Sequence, residues 1–102
     1  MIMMPREGSR VLVAIRLNPE GTDVDLDEVV GKVRSKLPKE FNLIKHEKVY
    51  VAFGLYVLRL YILMPEEYEG GTETLERVLS EIPGISSVDV EMVTRTEAFS
   101  GP

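Results

Sequence analysis

The 102-residue sequence contains no cysteine and no tryptophan, and histidine occurs once. Without cysteine there is no disulfide scaffold, thiolate zinc site, iron–sulfur cluster or thiol nucleophile. A lone histidine, His46, cannot build a His-based metal site or complete a Ser-His-Asp triad, and a surface position on a strand is its plain reading. Long apolar runs are also missing. The longest, Val49 to Met64, is broken by Gly54 and Arg59. It is shorter than the ~20 residues of a spanning helix and rich in strand-favouring Val, Tyr and Ile, so no membrane span is expected. Met1 to Ser9 has neither the apolar core nor the cleavage pattern of a secretory signal. Basic charge is in deficit, with 12 Lys and Arg against 17 Asp and Glu for a net charge of −5. That balance disfavours a generic grip on nucleic-acid phosphates. A cysteine-free acidic chain without a signal fits the reducing cytoplasm.

What is present is ordinary globular material, 44% hydrophobic and 28% charged. The length suits one domain that buries roughly 60–70% of its unfolded surface. Val11, Val13, Ile15 and Leu17 share one face of a mostly apolar segment, as in a strand in the middle of a sheet. After the turn cluster Asn18–Thr22, Asp25 and Glu28 form a capping-box-like start. Leu26, Val29, Val30, Val33 and Leu37 follow as one helical stripe that Pro38 stops.

Two strands come next. Leu43 to Phe53 is mixed, with Ile44, His46, Lys48 and Tyr50 expected on one side and Leu43, Lys45, Glu47, Val49 and Val51 on the other. Weak contrast and lysines suit a sheet edge. Leu55 to Met64 alternates better, placing Tyr56, Leu58, Leu60, Ile62 and Met64 opposite Arg59 and Tyr61. Gly54 between the two strands marks a tight connection, a bulge or a close backbone approach. An acidic loop, Pro65–Gly71, leads to a second stripe, Leu75, Val78, Leu79 and Ile82, with Gly71 or Thr72 as its expected N-cap and Pro83-Gly84 as its end. In the last strand, Val88, Val90 and Met92 alternate with Ser87, Asp89, Glu91 and Val93. The order βαββαβ predicts an α+β, ferredoxin-like domain, a four-stranded antiparallel sheet with both helices on one face.

Such folds host many functions, and the residues supply no catalytic constellation. The carboxylates fall in loops and helix first turns, where solubility and helix-dipole complementarity explain them. Residues 31–50 hold six Lys/Arg and two Glu, whereas residues 65–91 hold eight acids and Arg77. This bipolarity suits either steered docking on a charged partner or two solvated helix faces. An RNA-recognition platform would fall on Val51–Leu58, where only Phe53 and Gly54 fit; the leading basic residue and the second stacking aromatic are absent. Phe53 itself reads as a core residue at a strand end or as an aromatic anchor in a turn. Arg95 reads as a solvated strand-end charge.

Three segments in order carry a family resemblance: Val51-Ala-Phe-Gly-Leu-Tyr-Val-Leu58, Glu69-Gly-Gly-Thr-Glu-Thr-Leu75 and Ile85-Ser-Ser-Val-Asp-Val90. Any one is weak, but the ordered set at these spacings is specific. Over roughly Val11 to Arg95 the chain resembles the guanine-nucleotide exchange domain of the elongation factor 1-beta family, in its short archaeal form. The resemblance implies an exchange domain at Val11–Arg95, an extension at Met1–Arg10 and a tail at Thr96–Pro102. It implies binding to elongation factor 1-alpha and acceleration of GDP release, with no covalent chemistry, cofactor, resident metal, direct nucleic-acid contact or membrane. Phe53 and Gly54 match the family's "FG" pair, which lies against the GTPase. Arg95 matches the basic residue directed toward the magnesium site, although eukaryotic members typically carry Lys near the terminus. Arg is forked and bulkier, and the tail that follows, with Phe99, has no counterpart in that pattern. The competing readings are a small-molecule sensor or dimerisation module and, more distantly, an RNA-binding domain.

Overall fold

A computed structural model describes residues 10–66, 68 and 70–95. The elements run β1 (Arg10–Pro19), α1 (Leu26–Lys36), β2 (Asn42–Ala52), β3 (Leu55–Pro65), α2 (Gly71–Ser80) and β4 (Ile85–Arg95). The strands pair antiparallel in the order β2-β3-β1-β4, the expected ferredoxin-like α+β arrangement. The Met1–Ser9 part of the extension, the Thr96–Pro102 tail with Phe99, and Glu67 and Glu69 of the acidic loop lie outside the described residues.

The core forms where β1 and β3 lie side by side. Val13 faces Ile62, Ile15 faces Leu60 and Leu17 faces Leu58 across the ladder, and all six are fully buried. Leu26, Val29, Val30 and Val33 of α1 cover this face together with Leu75 and Leu79 of α2, and Ile82 and Ile85 close it after α2. Phe41 joins the core and meets Tyr68 edge to face, ring centroids 4.7 Å apart. The edge position expected for β2 and the central position expected for β1 both hold.

Local chemistry sets the helix ends. The Asp25 carboxylate accepts from the backbone N–H groups of Asp27 (3.0 Å) and Glu28 (3.3 Å), satisfying two of the donors a helix start leaves open. At the other end Leu37 is already extended (φ −67°, ψ 136°), as a residue before proline prefers. The start of α2 differs from the expectation of Gly71 or Thr72. The N-cap is Gly70 at φ 91°, with no side-chain cap bond. A Cβ there would lie 2.6 Å from Thr74 Oγ1, so both the backbone conformation and the space call for glycine.

Both edge strands depart from simple alternation. In β2 the ladder passes from Leu43↔Ile62 to Lys45↔Tyr61, leaving Ile44 as the extra residue. Leu43, not Ile44, therefore joins His46 and Lys48 on the helix side, and Ile44 is exposed. In β4 the register shifts opposite Ala14, so Met92 pairs there on the open face while Val93 pairs with Val13. One inserted residue reverses which face every later side chain occupies. Replacing Asp25 by Ala removes the α1 cap, and a loss of about 1 kcal/mol is expected. For a domain of this size that reads as a Tm fall of about 4–8 °C in a thermal melt.

Candidate functional site

The β2–β3 connection consists of Phe53 and Gly54 alone, closed by the Ala52↔Leu55 pair. Both have positive φ, 51° and 79°, the pattern of a type I′ turn. Phe53 is the one described non-glycine residue in that region, where an L side chain costs about 1–2 kcal/mol. Burial offers no compensation, because Phe53 is 97% exposed. The core reading of Phe53 is therefore excluded, and its place in an exposed turn is established. Strained residues of this kind cluster at functional sites, which makes Phe53 a candidate.

The surroundings of the turn are aromatic as well. A second bulge at Val51 sets Tyr50 opposite Tyr56, and their rings meet edge to face at 5.2 Å. Both rings are about half exposed. The Tyr50 hydroxyl accepts the Gly54 N–H at 3.4 Å. Beside the turn a groove of about 410 Å³ runs between the hairpin and the start of α1, lined by Pro19, Val24, Leu26, Lys48 and Tyr56 among others. The exposed aromatics beside this groove make the hairpin tip a candidate interaction site. Tyr50 and Tyr56 were not singled out from sequence; the available signal was their placement three residues to either side of Phe53.

Arg95 lies at the opposite end of the sheet. It ends β4 opposite Val11, while β3 runs from Leu55 beside the turn to Pro65 opposite Arg10. At about 3.3 Å per residue this separates Phe53 and Arg95 by roughly 30 Å. The Arg95 guanidinium is exposed and pairs with Glu66 at 2.6 Å. Phe53 and Gly54 thus come together, and Arg95 does not join them.

Between these ends, on the face without helices, charges link all four strands. Arg59 pairs with Glu91 (2.9 Å) and Glu47 (3.2 Å), and Arg16 with Asp89 (3.0 Å) and Glu91 (3.3 Å). Tyr61 donates to Glu47 and Asn18 to Asp89. The Arg59 hydrogen bond, followed by that of Tyr61, holds the Glu47 carboxyl below its ordinary pKa. Arg16 and then Asn18 do the same for Asp89, while Glu91 and then Glu47 raise that of Arg59. Asp89 and Glu91 belong to this network, so the acidic segment does not form one free acidic face. No group of three potential metal ligands occurs among the described residues.

Two outcomes are expected from this geometry. Phe53→Asn creates the Asn-Gly pair that type I′ turns favour and loses no burial, so it should stabilise the fold by about 1 kcal/mol. That reads as a higher Tm. Depressed carboxyl pKa values contribute stability that is complete above the unfolded-state pKa and fades as pH falls through the folded one. Thermal melts should therefore show Glu47→Gln below wild type at pH 7, with the gap closing as the pH drops below about 4. A gap that persists in acid would refute the ionic origin.

Residues 12–96 match the family model described as the EF-1 guanine nucleotide exchange domain. Elongation factor 1-beta of Hyperthermus butylicus is 42% identical over 91 residues, covering 89% of this chain and 99% of the relative. The proteins of the same name from Ignicoccus hospitalis and Saccharolobus solfataricus are 44% and 45% identical over 86 and 85 residues. Those matches cover 84% and 83% of this chain and 92% and 93% of the relatives. Among solved structures, the C-terminal domain of the MgtC protein from Mycobacterium tuberculosis superposes with a TM-score of 0.50 at 17% identity, over 81% of this chain and 85% of that one. That likeness is one of fold alone.

Proposed function

This chain belongs to the family of EF-1 guanine nucleotide exchange domains, and we propose that it promotes release of GDP from elongation factor 1-alpha, the GTPase that delivers aminoacyl-tRNA. A guanine-nucleotide exchange role in translation elongation comes with the family. The observation that carries the finer reading is Phe53, a fully presented aromatic held in a strained turn at the position of the family's "FG" pair. A rigid aromatic projecting from a hairpin is suited to fill a pocket on a protein partner.

Arg95 supplies the second contact. GDP on a GTPase is held by phosphate contacts and by Mg²⁺, the largest local charge in such a site. A guanidinium entering that region replaces part of the Mg²⁺ charge while disturbing its coordination. To do so, Arg95 leaves Glu66, a pair in which the arginine is exposed and the carboxylate part-buried. By linkage, a protein that prefers the nucleotide-free GTPase lowers GDP affinity by the factor that GDP lowers its own. Exchange therefore needs differential binding and no reactive group, cofactor or covalent step. The setting is the cytoplasm, where translation elongation takes place.

The test is fluorescent GDP release from a matched archaeal elongation factor 1-alpha, with the chain titrated against it. Wild type should accelerate release. Phe53→Ala should raise the half-saturating concentration by about tenfold or more, the scale of a lost interface anchor, while the maximal rate survives. Arg95→Ala should lower the maximal rate by about tenfold at saturation, as expected when a group acting on developing charge is removed. If Arg95→Ala matches wild type, exchange stands and the role of Arg95 falls. If wild type leaves release unchanged, the reading itself fails.

A further inference from the structure

We propose that Tyr50 is a positioning residue that holds Phe53 ready for docking, a role that rests on the exchange reading above. Three features converge on it. Without the extra residue Val51, continuing the ladder from Ala52↔Leu55 would set Tyr50 opposite Val57, on the open face. The bulge instead sets Tyr50 opposite Tyr56, on the helix side of the hairpin. There its ring packs edge to face on Tyr56, which fixes the direction of its hydroxyl. The hydroxyl in turn accepts the N–H of Gly54 at 3.4 Å. In a two-residue turn the amides of the central residues take no part in the strand ladder, so this bond spans the tip from outside the turn.

The bond matters because of what it opposes. Phe53 at φ 51° sits in a conformation that an L side chain leaves readily. Leaving it redirects the ring. A contact that fixes Gly54 restrains the neighbouring peptide and keeps the ring projecting, which lowers the ordering cost at docking. Burial does not explain Tyr50, which is 57% exposed. A role as a mere contact ring would not need the hydroxyl, and this separates the two explanations experimentally.

The experiment compares wild type, Tyr50→Phe, Phe53→Ala and the double variant in the GDP-release titration, alongside amide hydrogen exchange at Gly54 in the isolated chain. Tyr50→Phe keeps the ring and removes one hydrogen bond, so the half-saturating concentration should rise about fivefold at unchanged maximal rate. Gly54 exchange should quicken by a similar factor. In the Phe53→Ala background the Tyr50→Phe effect on titration should vanish, because Tyr50 acts through Phe53. An unchanged half-saturating concentration, or an equal effect with and without Phe53, overturns the proposal. If wild type fails to stimulate release, the exchange reading fails separately. The Gly54 amide then decides whether Tyr50 holds the turn: faster exchange in Tyr50→Phe supports it, and unchanged exchange overturns it.

Discussion

Two short helices can cover only one face of the sheet, and the rest of the molecule is arranged around that limit. The apolar side chains of β1 and β3 that point toward α1 and α2 are almost wholly removed from water. Their neighbours in sequence point to the other face, over which no helix packs among the described residues, although Ala14 and Val57 are buried there. An uncovered face rich in arginine and carboxylate is stable when the charges satisfy one another. Arg59 and Arg16 meet that condition by sharing Glu91 and taking Glu47 and Asp89 as separate partners. One face is thus filled with apolar side chains, and on the other two arginines are shared among three carboxylates. The proposed exchange reading accordingly places recognition at the hairpin turn and at the end of β4.

The same division explains what the sequence revealed. The stripe of α1, its Asp25 cap, the alternation of β3 and the stop at Pro38 are set by residues close together in the chain, so periodicity and capping rules found them. The errors occurred where a partner strand decides. Ile44, Val51 and Glu91-Met92 sit at bulges, and nothing local announces that a neighbouring strand is one residue short. Reading with an unbroken period of two therefore put Ile44 and Met92 on the wrong faces. The charge network was illegible for a related reason: Arg16 and Glu91 are 75 residues apart, and even Arg59 and Glu47 are separated by 12. At α2 the expected cap, Gly71 or Thr72, falls one or two residues past the left-handed Gly70 that starts the helix.

The candidate site was half legible. Phe53-Gly54 stood out as an aromatic beside a glycine, but exposure could not be settled without the turn. The structure shows why the pair occupies this place. A two-residue turn needs two positive φ values, glycine accepts one at little cost, and asparagine would be the natural occupant of the other. Phenylalanine there is a local inconsistency that folding alone does not explain. Such conflicts concentrate where function opposes stability. The aromatic brace of Tyr50 and Tyr56 belongs to the same compromise, because a strained turn on an edge hairpin needs support from side chains beneath it.

The separation of roughly 30 Å between Phe53 and Arg95 gives the proposed exchange reaction its division of labour. A contact that bound every nucleotide state of a GTPase alike would change occupancy without changing the rate of release. Two contacts on a stiff spacer behave differently. Once Phe53 is seated, the sheet restricts Arg95 to a small volume, and a weak interaction there acts at high effective concentration. The spacer has to be rigid for this to hold, since a flexible one would dilute Arg95 over many positions. The four-stranded hydrogen-bonded sheet, packed on its core, is the spacer, and ion pairs cross its open face between the two ends. On the proposed reading a small one-sided fold is then enough: the anchor would set how often the partners meet, and the distant cation what happens to the nucleotide when they do.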